Sequence, residues 1–132
     1  MRIESLQGDY VGLFEALADG VLITEPTGQF SYVNAAAARI LGFDSPEALR
    51  SAGPAELVAK FRMIDLEGNP FPLEKLPNRI ALQGQHPPPV SLRCITSTGE
   101  ERWGTVTAVP VLDPAGRVQR AVTLFPPATD HV

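Results

Sequence analysis

Apolar and polar positions near the start of the chain predict a β-hairpin. The run Gly20–Thr24 is apolar and β-branched, which favours a half-buried strand. Phe30–Val33 is a second short apolar run, and the turn between the two runs contains Pro26 and Gly28. Proline presets φ and glycine accepts positive φ, so these two residues favour a tight turn that makes the strands antiparallel neighbours.

Helices are predicted after the hairpin from capping and breaking residues. Asn34 can accept a hydrogen bond from a first-turn amide, and the alanine-rich run that follows ends at Gly42, which accepts the left-handed conformation. Two further short helices flank a break at residues 51–53. Another helix begins at Pro77, because a proline inside a helix costs about 3 kcal/mol or more.

The last third of the chain is predicted to form three strands joined by turns. The strands cover residues 90–97, 101–112 and 117–125, and both turns between them contain glycine. Together with the hairpin they make five predicted strands among short helices, which indicates an α+β fold.

Apolar residues at the start of the chain recur at alternating three- and four-residue spacing, which predicts an amphipathic helix over residues 2–18. The residues of this stripe are Ile3, Leu6, Tyr10, Leu13 and Leu17. Two glycines weaken the helix by up to about 1 kcal/mol each, so it needs a surface to pack on. It either folds back over its own sheet or pairs with a second copy of the chain, and both arrangements could hold at once.

Composition narrows the function classes. The 132 residues correspond to one domain, organised as a helix over 1–18, a folded domain over 19–125 and a tail or linker over 126–132. The net charge is −4 and the 11 lysines and arginines are scattered, which argues against binding of nucleic acid. No apolar run reaches the length of a membrane span, and the first residues lack the apolar stretch of a signal peptide. We therefore expect a cytoplasmic protein without nucleic-acid or membrane partners.

The chain resembles a PAS domain, the small sensory module of bacterial signalling proteins, over roughly residues 10–125. The matching residues of the hairpin and the helix after it are Gly20, Glu25, Gly28, Tyr32, Asn34, Leu41, Gly42 and Phe43. Those of the second strand in the last third are Arg102, Trp103, Ala108 and Pro110. Glutamate stands at position 25 where aspartate is commoner, and Pro126 and Pro127 stand where the family commonly has Asp-Ile-Thr, the joint to an output helix.

The resemblance implies an α+β fold, in which a five-stranded antiparallel sheet carries short helices on one face, and a ligand cavity between those helices and the sheet. The residues that would line it are Leu22, Thr24, Phe61, Leu76, Ile80, Leu92, Cys94, Val106 and Leu124. The opposite face of the sheet would be too apolar to remain in contact with water. Together with the first helix it would form a homodimer interface, made by Ile3, Leu6, Tyr10, Leu13, Trp103 and Phe125.

The resemblance further implies a sensory and regulatory role in a signal-transduction protein, with dimerisation and binding of a small apolar ligand. Any catalysis would belong to a covalently linked output module: a histidine kinase, a cyclase or a transcriptional regulator. The first alternative is a ligand-free assembly module, whose cavity is filled by its own side chains. A remote alternative is a small cavity enzyme, which would need a buried carboxylate or histidine with a shifted pKa.

Few residues are candidates for chemistry or for attachment of a cofactor. Cys94 is the only cysteine, and its place in the middle of an apolar strand indicates a packing residue rather than a nucleophile. His86 and His131 lie in a predicted loop and tail, away from the helix that carries the haem ligand in haem-binding relatives. Residues 53–61 lack the flavin-reactive cysteine of the light-sensing branch. We therefore expect no haem, flavin or metal cofactor.

Overall fold

The structure, a computed structural model, is an antiparallel sheet that carries helices. It describes residues 12–95, 99 and 101–127, apart from the side chains of Pro54, Ala55, Val58, Arg102 and Trp103. The strands are β1 Gly20–Thr24, β2 Phe30–Val33, β3 Arg62–Ile64, β4 Val90–Ile95, β5 Glu101–Leu112 and β6 Val118–Phe125. The helices are α1 over residues 12–16, α2 Ala35–Ile40, α3 Pro46–Lys60 and α4 Pro77–Leu82, with a 3-10 turn at Leu73–Lys75. The strand order is β2-β1-β6-β5-β4-β3.

The α+β fold class is as predicted, but the described sheet has six strands instead of five. The additional strand, β3, follows α3 and pairs with β4, with Met63 opposite Cys94. Three residues are too few for an alternating pattern to distinguish a strand from a loop. The sequence therefore gave no sign of β3.

Local capping and breaking residues place the helices as predicted. Asn34 caps α2 by accepting the N–H of Ala37 at 2.8 Å, and Pro77 begins α4. Gly53 interrupts α3 with a φ of 75° and a ψ of 174°, which are not helical angles. The predicted break at residues 51–53 is therefore confirmed as a kink between two helical segments.

Side chains along each strand alternate between the two faces of the sheet. The face that meets α2, α3 and α4 is the inner face. Leu22, Val106 and Phe125 lie on this face and pack with Leu57 of α3 and with Phe61, which directly follows α3. These side chains form the main core of the domain. The helical layer thus sits where the sequence predicted it, on one side of the sheet.

The opposite, outer face is partly covered by α1. Phe14 packs against Val21, Ile23 and Val122, and the ring centroids of Phe14 and Tyr32 are 5.8 Å apart. Burial of these apolar side chains stabilises the contact between helix and sheet. The first helix therefore folds back over its own sheet, which is one of the two predicted arrangements.

The side of α1 that meets the sheet differs from the predicted stripe. Leu13 and Leu17 are 53% and 37% exposed, whereas Phe14 makes the contact. A phenylalanine ring buries a larger apolar area than a leucine side chain, so the helix turns its aromatic residue inward. Three further residues of the predicted interface lie outside the described residues; they are Ile3, Leu6 and Tyr10.

The faces of β6 are the reverse of the prediction. β1 and β6 pair with Leu22 opposite Thr123 and Val21 opposite Leu124. Leu124 therefore lies on the outer face, and Phe125 lies on the inner face, so the predicted placement of both residues is wrong. β6 carries apolar residues on both faces, and alternation along it could not indicate which face is buried.

Candidate functional site

The inner face brings together most of the residues predicted to line a cavity. The strand residues among them are Leu22, Thr24, Leu92, Cys94 and Val106. Phe61 packs in the same cluster as Leu22 and Val106. Leu76, which precedes α4, and Ile80, within it, are half-buried. The side chains of β1, β4 and β5 thus lie on the predicted faces of the sheet, whereas those of β6 lie on the opposite faces.

Two threonines on the inner face have hydroxyl groups without a hydrogen-bond partner among the described residues. They are Thr24, which is 1% exposed, and Thr123, which is 5% exposed. Thr24 lies opposite Ala121 on β6, and Thr123 lies opposite Leu22 on β1. A buried hydroxyl left without a partner costs about 1–3 kcal/mol. The inner face therefore holds two polar groups that would gain from a bonding partner.

Alanines lie opposite both threonines in the sheet: Ala121 faces Thr24 and Ala108 faces Thr123. Ala81 of α4 packs against Ala108 and Ala121 of the sheet, and all three are at most 2% exposed. Because alanine has a short side chain, α4 approaches the sheet closely at this point. The strand positions next to the two threonines therefore carry small apolar side chains.

Cys94 is half-buried on the inner face, opposite Met63 of β3. Burial raises the pKa of its thiol above the ordinary value. A nucleophilic cysteine needs the opposite shift, because the thiolate is the reactive form. The structure therefore supports the prediction that Cys94 is a packing residue.

Asn34 joins backbone groups of several elements and is 0% exposed. Its Oδ1 accepts the N–H groups of Val21 at 3.0 Å and Ala37 at 2.8 Å. Its Nδ2 donates to the carbonyl oxygens of Phe14 at 2.9 Å and Asp19 at 3.0 Å. The amide thus uses both donors and both acceptor positions. Through it, the end of α1 is tied to β1 and to the start of α2.

Glu15 of α1 makes a second connection between this helix and the rest of the domain. One of its carboxylate oxygens accepts the hydroxyl of Tyr32, and the other accepts the N–H of Ala35 at 3.3 Å. Burial, then the hydrogen bond to Glu15 and its negative charge, raise the pKa of Tyr32 above the ordinary value of 10.0. The hydroxyl of Tyr32 therefore stays protonated near neutral pH and remains a donor to Glu15.

Glu25, which stands where the resembled family more often has aspartate, reaches across to a neighbouring strand. Its carboxylate pairs with the guanidinium of Arg120 on β6, and both side chains are partly buried. Charge-assisted hydrogen bonds of this kind are stronger than neutral ones. The pair fastens the β1–β2 turn to β6.

Features of a metal site or a membrane segment are not found within residues 12–95 and 101–127. This part of the chain has no cluster of three or more His, Cys, Asp or Glu side chains that could hold a metal ion. None of its helices is both long and apolar enough to cross a membrane. Its buried polar side chains are those of Thr24, Asn34 and Thr123, so none of its carboxylates or histidines is buried.

The sequence analysis did not single out Thr123 as an inner-face residue or Glu15 as a contact of α1. Thr123 had no signal in the sequence, because β6 carries apolar residues on both faces and only its pairing with β1 decides the face of each residue. Glu15 had no signal either, since its partners Tyr32 and Ala35 lie 17 and 20 residues away. Contacts at such separations leave no periodic pattern in the sequence.

Comparison with known proteins identifies the fold. Residues 8–60 match the family model described as the PAS fold. The PAS domain of a protein from Colwellia psychrerythraea superposes with a TM-score of 0.64 at 14% sequence identity, covering 96% of this chain and 99% of that one. This chain has a PAS fold. The predicted resemblance is therefore confirmed.

Other structures similar to the PAS-fold chain belong to regulatory proteins. The PAS domain of nitrogen regulation protein NR(II) from Vibrio parahaemolyticus matches with a TM-score of 0.56 at 14% identity, covering 86% of this chain and 93% of that one. The Vibrio cholerae VqmA dimer matches with a TM-score of 0.62 at 18% identity, covering 92% of this chain and 52% of that one. The PAS-fold chain thus spans about half the length of this VqmA chain. Comparison of the sequence with curated proteins gives no significant match.

Proposed function

We propose that this PAS-fold chain is the sensory and regulatory domain of a cytoplasmic signal-transduction protein, and that it binds a small ligand at its inner face. The observation that carries the proposal is the pair of buried hydroxyl groups of Thr24 and Thr123, which have no hydrogen-bond partner among the described residues. Similarity to a nitrogen regulation protein supports the regulatory class, and one similar VqmA structure is described as bound to DPO. The chain itself catalyses no reaction in this proposal.

The surroundings of the two threonines define the chemistry of the ligand. A hydroxyl group both donates and accepts hydrogen bonds, so the ligand presents one or two polar atoms to the sheet. Leu22 and Val106 lie on the same face of the sheet, and their side chains can contact the apolar part of the ligand. Because the described part of the chain buries no charged side chain, a charged ligand would lose its hydration without compensation. The ligand is therefore small, uncharged and mainly apolar.

Native mass spectrometry of the protein as expressed tests this proposal. We expect the wild type to carry additional dissociable mass from a bound ligand. The double variant Thr24→Val/Thr123→Val should retain at most about one tenth of that mass, because a good pair of hydrogen bonds contributes about 1.4 kcal/mol or more to binding. The control is Thr107→Val, since Thr107 lies on the outer face of β5. Equal retention by the double variant would contradict the assignment of the two hydroxyl groups.

Stability of the ligand-free protein gives a second expectation for the same variant. Valine replaces each unpartnered hydroxyl with a methyl group, so Thr24→Val/Thr123→Val should raise the free energy of unfolding by about 1–2 kcal/mol. Thr107→Val should change it by less than about 0.5 kcal/mol. Urea denaturation of the three proteins measures these differences. A lower stability of the double variant would mean that the hydroxyl groups are already bonded within the protein.

A second candidate function is a ligand-free assembly module. Leu22, Phe61, Val106 and Phe125 pack against one another, so the domain's own side chains occupy part of the inner face. Exposed apolar residues remain elsewhere on the surface; those of α1 and β5 are Leu13, Val109 and Leu112, at 53%, 40% and 44% exposure. In this proposal the exposed residues join two copies of the chain, and the homodimer is linked to a kinase, cyclase or transcriptional output module.

Sedimentation velocity distinguishes an assembling protein from a monomer. We expect Leu13→Glu to weaken a dimer by at least about tenfold, because it places a charge in an apolar contact. Leu66→Glu is the control, since Leu66 is 60% exposed in the loop after β3. The interface role of Trp103, whose side chain lies outside the described part, stays a prediction that Trp103→Ala tests in the same way. A wild type that is monomeric at all concentrations would contradict this candidate.

A further inference from the structure

A cleft of about 240 Å³ lies between the end of α1, β2 and the start of α3. The residues that line it are Glu15, Tyr32, Val33, Pro46, Glu47 and Arg50. Neither of the inner-face threonines belongs to this lining. The cleft is therefore separate from the ligand region proposed above.

Charged groups of both signs surround the cleft. Glu47 and Arg50 are exposed, and within the described part of the chain neither forms an ion pair or a side-chain hydrogen bond. The carboxylate of Glu15 accepts from Tyr32 and from Ala35, and each of its oxygens can accept one bond more. The cleft thus offers two carboxylates and one guanidinium beside an aromatic ring.

We propose that this cleft binds a small zwitterion, a molecule with one ammonium and one carboxylate group such as a free amino acid. The guanidinium of Arg50 pairs with the carboxylate of the ligand, which it can do through two parallel hydrogen bonds. The ammonium group lies between Glu15 and Glu47, and the ring of Tyr32 attracts it further. A simple anion would meet two carboxylates and a simple cation would meet the guanidinium, whereas a zwitterion matches both signs.

The position of Glu15 gives this site a consequence for α1. Glu15 belongs to α1, whereas Glu47 and Arg50 belong to α3. The ligand therefore makes all its contacts only while α1 lies on the sheet. A ligand that binds one arrangement better than another shifts the population toward it by the ratio of the two affinities. Occupancy of the cleft thus holds α1 on the outer face, a form of regulation that does not depend on the inner-face ligand.

An NMR titration with each of the standard L-amino acids tests the site. For at least one of them we expect saturable shifts of the backbone amides of Tyr32 and Arg50, with a dissociation constant below about 10 mM. Arg50→Gln should weaken that binding by about tenfold. The control Arg79→Gln, an exposed arginine of α4 outside the cleft, should leave it unchanged. Thr24→Val/Thr123→Val should also leave it unchanged, so that failure of this proposal and failure of the proposed function are distinguishable.

Hydrogen exchange measures the effect on α1. At saturation, the amides of residues 12–16 should exchange at least about threefold more slowly than in the free protein. Three outcomes would overturn the proposal: no saturable shift with any amino acid, binding of acetate or ethylamine alone with the same affinity, or undiminished binding by Arg50→Gln. Unchanged exchange of α1 in the saturated protein would overturn its regulatory part.

Discussion

Replacing Asn34 with alanine should lower the free energy of unfolding by about 3–5 kcal/mol. The substitution removes the cap of α2, which contributes about 1 kcal/mol. It also leaves the buried N–H of Val21 without its present partner, whereas the part-buried carbonyl groups of Phe14 and Asp19 lose one bond each and that of Phe14 still accepts the N–H of Leu17. A buried backbone group that loses its partner costs about 1–3 kcal/mol, and a part-buried carbonyl group costs less because water or another donor can reach it. Urea denaturation followed by circular dichroism measures the change.

A simple helix cap provides the matched comparison. Ser45 caps α3 by accepting the N–H of Ala48 at 3.1 Å, and Ser45→Ala should cost only about 1 kcal/mol. Asn34→Asp keeps an acceptor for the cap but loses both donated bonds, so amides at the end of α1 should exchange faster while α2 stays protected. If Asn34→Ala cost no more than Ser45→Ala, Asn34 would be a helix cap and nothing more.

Replacing Gly20 with alanine should lower the free energy of unfolding by about 2–3 kcal/mol. A Cβ atom at this position would lie 2.4 Å from the Cε2 and Cζ atoms of the Phe125 ring, far inside van der Waals contact. Phe125 is 8% exposed and packs in the main core, so its ring can move only by displacing its neighbours. Thermal or urea denaturation of the variant gives the cost directly.

Gly104 of β5 is the control for this substitution. Apart from its two chain neighbours, none of the described residues has a heavy atom within 4 Å of a Cβ built there. Gly104→Ala should therefore be neutral or stabilising by up to about 1 kcal/mol, because alanine reduces the entropy of the unfolded chain. The cost of Gly20→Ala should also fall when it is combined with Phe125→Leu, which removes the ring. Equal costs in the two backgrounds would show that the ring is not the obstacle.

The elements that the sequence predicted correctly are those controlled by local chemistry. Asn34 as a cap, Gly53 as a break and Pro77 as the start of α4 all act through backbone groups within a few residues of themselves. Such effects depend on residue type and spacing alone. The caps, the turns and the three strands of the last third were therefore predictable without tertiary information.

The features that the sequence did not predict depend on contacts between distant segments. β6 has apolar residues on both faces, and only its pairing with β1 decides that Phe125 points inward and Leu124 outward. Phe14 makes the contact of α1 by packing on residues of β1 and β6, which the spacing of leucines could not reveal. The candidate site shows the same limit, since Thr123 joins the inner face through the register of β6.

The pairing of Gly20 with Phe125 also determines how the domain responds to mechanical force. β1 begins at Gly20 and β6 ends at Phe125, so the two ends of the domain leave the sheet side by side. A force that pulls apart the segments before β1 and after β6 acts on the β1–β6 ladder one residue pair at a time. In shear, by contrast, all pairs of the ladder would carry the force together. The ladder therefore opens at low force from this end. For the same reason, only the β1–β6 pair separates the segment that follows α1 from residues 126–127.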